Sequence, residues 1–175
     1  GLLWTGLALL AVSFARLALN PAVFSAYPRS GTAIFNWHLY TYGIVATAMF
    51  LGARWLPEAC RHIKKLNFTG ILHAMGGLLL FLLLNIEIAD FFTVPGQKFI
   101  AFEFGGNFAR DMTYTIGWGL FALALLVVGI WRSGKGARFA AIGLLVVTLL
   151  KLFLHDLANI DNIFRIAALI ATGLI

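Results

Sequence analysis

Six segments of this chain, residues 1–20, 32–55, 70–92, 112–131, 137–154 and 162–175, are each predominantly apolar. A helix needs roughly 20 such residues to cross a hydrocarbon core. The first five segments are that long or nearly so, and the sixth is cut off by the chain end. The chain is 61% hydrophobic and 11% charged, with a mean hydropathy of +0.92. A soluble domain is about half apolar and a quarter charged, so this chain cannot hide its apolar surface in a water-facing fold. The expected fold is all-α: a polytopic transmembrane helical bundle of about six spans. Residues 1–175 read as a single transmembrane domain. Because they begin and end inside apolar segments, they are expected to be a fragment of a longer multi-pass protein. No charged stretch precedes Leu2, so the first segment does not read as a signal peptide.

The charges fix an orientation. Arg54, Arg61, Lys64, Lys65, Arg132, Lys135 and Arg138 follow the second and fourth segments, against the single acid Glu58. Their excess is the whole formal charge of +6. By the positive-inside rule these two loops are cytoplasmic, and spans one, three and five run outward. The high pI is thereby explained without nucleic acid, for which no soluble module exists. Cys60 is the only cysteine, so no internal disulfide forms. All four prolines, Pro21, Pro28, Pro57 and Pro95, fall in connections. The connection 91–111 carries six phenylalanines. It is expected to lie in the headgroup region or to fold back over the bundle.

Polar residues gather at the other ends of the spans. Asn85, Glu87 and Asp90 close span three; Lys151, His155 and Asp156 close span five; Arg110, Asp111 and Tyr114 open span four. Asp161, Asn162 and Arg165 open span six, and Asn36, His38, Tyr40 and Tyr42 open span two. A charge at mid-span costs about 2.5–3.5 kcal/mol on insertion scales and tends to be functional. Glu87 and Lys151 lie more than a turn inside their spans, so each needs a partner or a water-filled cavity. The candidate network is Glu87, Asp90, Lys151, Asp156, Arg165, Arg110 and Asn85, lining a polar pocket at the outer leaflet. The alternative is helix-end side chains that snorkel or form structural ion pairs. A membrane transferase with Asp90 or Asp156 as base would need that carboxylate exposed in a cleft. His38, His73 and His155 do not make a three-ligand metal cluster, and no motif asks for a cofactor.

A faint repeat aligns residues 70–90 on residues 136–156 without gaps, pairing Gly70 with Gly136, Gly77 with Gly143 and Asp90 with Asp156. Tyr40 and Thr41 similarly match Tyr114 and Thr115. A duplicated helical hairpin would explain both; coincidence between Leu- and Gly-rich helices is the alternative.

Residues 36–43 (NWHLYTYG), 84–88 (LNIEI), 114–118 (YTIGW) and 151–157 (KLFLHDL), with Phe164 and Arg165, resemble the C-terminal part of the DUF2339 family over residues 36–175. These are predicted bacterial multi-pass membrane proteins. The resemblance implies residence in the bacterial inner membrane and further spans upstream. It also implies that Asn85, Glu87, Lys151, Asp156 and Arg165 belong to a family pattern, with His155 at a variable position of the 151–157 run. It brings no activity, cofactor or substrate. The reading that suits the outer polar rim is transport or transfer of a cell-envelope component, lipid-linked or saccharide, with membrane lipids as partners. The alternative is a structural or accessory subunit packed against other membrane-protein chains in a larger complex.

Overall fold

The computed structural model describes residues 1–19, 28–30, 32, 34–63, 66–100, 102–104 and 106–156. The chain divides into two compact units, Gly1–Glu103 and Phe104–Ile175. The expected sixth span, with Asp161, Asn162 and Arg165, lies outside the described residues, as do Lys64 and Lys65.

The first unit holds α1 (Leu2–Ala18), α2 (Trp37–Trp55), a single turn α3 (Glu58–Arg61) and α4 (Phe68–Phe92). Between α3 and α4, β1 (His62–Ile63) pairs antiparallel with β2 (Leu66–Asn67), Ile63 opposite Leu66. Asparagine starts both long helices. Asn36 accepts the Leu39 amide at 2.9 Å, and Asn67 accepts the Gly70 amide at 2.9 Å, each satisfying a donor that the helix leaves unpaired. α2 stops at Leu56, the residue before Pro57, which is disfavoured from helical geometry.

The buried face of α2 is His38, Tyr42, Ala46, Met49 and Ala53; that of α4 includes Leu72, Gly76, Leu79, Leu83, Ile86 and Asp90. Steps of three and four residues make these the facing seams of a helical hairpin. Gly76 is required by the close approach. A Cβ there would sit 3.0 Å from the Phe50 ring and 3.3 Å from the Ala46 carbonyl oxygen. α1 packs from outside through Leu10, Phe14 and Leu17, and the buried Tyr42 hydroxyl donates to the Leu17 carbonyl at 3.0 Å. Of the expected interfacial connection, Ile100 and Phe102 fold back on this core, while Phe91 and Phe99 stay exposed.

The second unit is a hairpin of α5 (Phe108–Trp131) and α6 (Lys135–Lys151), the latter continued by a π-turn over Leu152–Asp156. Asn107 caps α5 through the Arg110 amide at 3.1 Å. Ser133, at φ 52°, reverses the chain, and the Gly134 amide returns to the Gly129 carbonyl at 2.9 Å. A Cβ on Gly129 would meet Arg138 Cγ at 2.9 Å and its amide nitrogen at 3.0 Å, so the tight turn needs glycine.

Thr115, Ala122 and Gly129 recur every seven residues on the buried face of α5, and Ala141 and Thr148 do so on α6. These small residues let the two backbones approach. The next α6 position in that series would be His155. The π-turn absorbs one extra residue, and Asp156 is buried instead. In α4 the series Gly76, Leu83, Asp90 runs without interruption. The buried faces therefore pair Gly76 with Ala141, Leu83 with Thr148 and Asp90 with Asp156 across a one-residue gap. This departs from the ungapped alignment. Gly143 is exposed, and Tyr40 is 63% exposed where Tyr114 is 0%.

Among the described residues, three helices are long and apolar enough to cross a membrane: Phe68–Phe92, Phe108–Trp131 and Lys135–Asp156. α1 is shorter, at 17 residues. α2 has length enough, but Trp37, His38, Tyr40 and Tyr42 at its start and Arg54 at its end dilute its apolar character. In α5 and α6 the apolar side chains point outward, among them Leu120, Leu123, Phe139, Val146, Leu150 and Leu154. Such a surface suits lipid or another apolar partner; a water-soluble hairpin could not carry it.

Candidate functional site

The end of α6 holds the most densely connected polar cluster among the described residues. Lys151 and Asp156 are five apart, and in a regular α-helix they would point about 140° away from each other. The π-turn, with its i→i+5 bonding, brings them to one side. Lys151 Nζ donates to Asp156 Oδ1 at 2.7 Å, to Thr115 Oγ1 at 2.9 Å and to the Asp111 carbonyl at 3.0 Å. An ammonium has three N–H groups, so these contacts use all of them. The Thr115 hydroxyl donates a hydrogen bond to Asp156 Oδ2, so threonine accepts from the lysine and donates to the carboxylate. The α5 backbone carbonyl and the Thr115 hydroxyl thus join the pair to the facing helix.

Asp156 is the enclosed partner: its side chain is 0% exposed, against 11% for Lys151. The Asp111 carboxylate stands 3.9 Å from Arg110 Nε on one side and 3.9 Å from His155 Nε2 on the other, with both Arg110 and Asp111 buried. His155 is the cluster's outermost member, at 38% exposure. Phe104, Trp118, Lys151 and His155 line a shallow cleft of about 290 Å³. Tyr114 backs its aromatic walls, with ring centroids 5.2 Å from Phe104 and 6.4 Å from Trp118.

The end of α4 carries a different arrangement, inside the first unit. Asp90 accepts the Ser30 amide on both carboxylate oxygens at 3.2 Å and lies 3.7 Å from Arg29 Nε. Arg29 also donates to the Val94 carbonyl at 3.1 Å. Glu87 Oε2 accepts from Asn36 Nδ2 at 2.9 Å and from the Ile34 amide at 3.3 Å. Two carboxylates one turn apart therefore clamp the segment leading into α2. Ile34 itself sits at φ 66°, a strained conformation for a β-branched residue.

Of the residues singled out from sequence, Lys151, Asp156 and Arg110 meet within the second unit, and Glu87 and Asp90 within the first. Asn85 donates along its own helix to the Phe81 carbonyl at 2.7 Å, and Arg165 lies outside the described residues. Thr115, Ser30 and Arg29 carry contacts that the sequence reading did not assign. Thr115 was detectable, because it follows Asp111 by four and shares its helix face; the Ser30 contact is made by backbone and leaves no side-chain signal. Neither Asp90 nor Asp156 is placed as a general base, since one is clamped by Ser30 and Arg29 and the other by Lys151 and Thr115. Among the described residues no group of three or more His, Cys, Asp or Glu side chains is arranged to hold a metal ion.

No curated protein and no solved structure matches the chain. The family model described as "Predicted membrane protein (DUF2339)" matches residues 1–175, taking in the first 35 residues as well as the stretch that carried the resemblance. An apolar hairpin with a buried lysine–aspartate pair at its open end, built from residues 151–156, fits that description, and the chain belongs to the DUF2339 family of predicted membrane proteins.

Proposed function

We propose that this protein is a multi-pass component of the bacterial inner membrane that handles a cell-envelope component, lipid-linked or saccharide, at the outer leaflet. Six spans with cytoplasmic basic loops suit the charge distribution. The observation that carries the reading is the cleft of Phe104, Trp118, Lys151 and His155. It sets the aromatic side chains Phe104 and Trp118 beside Lys151 and His155 at the end of a span, opposite the basic turn of the same hairpin. That is the depth at which a lipid headgroup meets the protein. The second reading, a structural subunit, is favoured by the self-sufficiency of the cluster, in which Lys151, Thr115 and Asp156 satisfy one another.

A photo-reactive amino acid in place of Phe104, irradiated in living cells, separates the two. Cross-links to lipid or lipid-linked saccharide are expected. Cross-links confined to one membrane-protein partner, with none to lipid, would overturn the handling role in favour of the structural one.

A further inference from the structure

We infer that the turn joining α5 to α6 binds the phosphate of an anionic phospholipid headgroup through Arg132, Lys135 and Arg138. This site is independent of the role proposed for the cleft and lies at the other end of the same hairpin.

The three bases are unmatched. No acid occurs between Asp111 and Asp156. Both of those stand at the far ends of their helices, roughly 30 Å away at about 1.5 Å of rise per residue. Both are already engaged there, Asp111 beside Arg110 and Asp156 with Lys151. Among the described residues, none of the three basic side chains at the turn makes a hydrogen bond or an ion pair. The other basic loop differs: Arg61 lies 3.8 Å from Glu58 and donates to the Leu56 carbonyl at 3.1 Å.

Their placement is unfavourable without an anion. Lys135 and Arg138 are three apart at the start of α6, so two like charges share one helix face. They also sit where the helix macrodipole opposes a cation, and that first turn holds no acid and no side-chain cap. Arg138 is held in place by packing. It fills the notch at Gly129, where a Cβ would come within 2.9 Å of the Arg138 Cγ. Arg132 and Lys135 are exposed beside it. A phosphate seated over the turn relieves the repulsion, complements the dipole and gives the guanidinium groups an acceptor.

Depth sets the source of that phosphate. α5, and α6 with its π-turn, are each long and apolar enough to cross a membrane, so the turn between them emerges at headgroup level. Trp131 precedes the bases at 82% exposure and Phe139 follows them at 75%. Aromatic side chains so placed belong to the membrane interface. They offer acyl chains a contact that a soluble anion cannot use.

The emission of Trp131 reads the site, taken as the difference between the wild type and Trp131→Phe. The full chain is placed in nanodiscs of phosphatidylcholine containing increasing fractions of chain-brominated phosphatidylglycerol or chain-brominated phosphatidylcholine. Half-maximal quenching is expected at an at least fivefold lower fraction of the glycerol lipid, about the worth of one base near an anionic surface. Arg132→Gln with Lys135→Gln and Arg138→Gln should bring the two curves together. Arg132→Gln with Lys135→Gln alone, both at exposed positions, should narrow the gap without touching the packing on Gly129. Arg54→Gln with Arg61→Gln, in the other basic loop, should leave the gap intact. Equal quenching by the two lipids, or a preference that survives loss of all three bases, would overturn the site. A preference lost equally in the Arg54 and Arg61 variant would reduce it to the general field of the protein. Reversal by inorganic phosphate, but not by chloride of equal ionic strength, would reassign it to a soluble anion and overturn the lipid assignment.

Discussion

Lys151 is the residue on which the second unit's polar end depends. It lies in an apolar helix, its ammonium is almost enclosed, and its three donors reach a carboxylate, a hydroxyl and a backbone carbonyl. Removing one member of a buried ion pair strands the other, at a cost of about 3–5 kcal/mol. Lys151→Met should therefore lower resistance to thermal unfolding in detergent by that order, whereas Lys98→Met, on an exposed loop, should stay within about 0.5 kcal/mol. The double variant Lys151→Met with Asp156→Leu should recover most of the loss, because replacing both charges by apolar groups is often neutral. Equal tolerance of the two single lysine variants would show that the pair is an ordinary snorkelling contact. The depth of Lys151 was readable from its place in an apolar run. The identity of its partners was not: Thr115 is separated from it by 36 residues and a turn.

At the scale of the element, the π-turn at Leu152–Asp156 sets the phase of the cluster. It places Asp156 where an uninterrupted α-helix would place His155, and it lets residues five apart face each other. Deleting the exposed Leu154 leaves Lys151 and the aspartate four apart, a spacing that meets on a regular α-helix. The deletion should therefore be tolerated within about 1 kcal/mol. Inserting one alanine at the same point puts them six apart and should cost about 3–5 kcal/mol, as for a broken buried pair. Thermal denaturation followed by circular dichroism reads both. An insertion as mild as the deletion would show that the pair does not depend on helix phase. α4 reaches its own terminal carboxylate, Asp90, without a π-turn, and uses it differently, to clamp the Ser30 amide. The ungapped alignment matched Asp90 with Asp156 but missed the one-residue offset of the buried seams: Gly77 and Gly143 match as letters but do not lie on them.

For the whole molecule, the chemistry of each hairpin is polarised along its length. Both carry arginine near the connection between their long helices, Arg54 and Arg61 in one and Arg132 and Arg138 in the other, and a buried carboxylate at the far end. If the basic turns face the cytoplasm, a cysteine introduced at Lys135 in a Cys60→Ser background should resist an impermeant thiol reagent in intact cells, and one at Lys98 should react. Labelling at Lys135 but not at Lys98 would invert the topology and move the cleft to the inner leaflet.

Apolar run length, charge segregation and asparagine-capped helix starts were all legible in the sequence, because each depends on neighbours within a few residues. From them came the membrane environment, the all-α class and the polar groups at one end of each hairpin. The expected count of about six spans is not reached among the described residues, where three helices have the length and apolar character to cross a membrane. α2 is long enough, yet its tryptophan, histidine, tyrosines and arginine leave it short of the apolar character shared by α4, α5 and α6. Tertiary structure alone decided which carboxylate meets which base. That choice turns on helix phase, where one inserted residue swings a side chain by about 100°, and on backbone donors such as the Ser30 amide, which any residue type could supply. Periodicity reported that Lys151 must have a partner; only the packed hairpin, with its π-turn, made that partner Asp156.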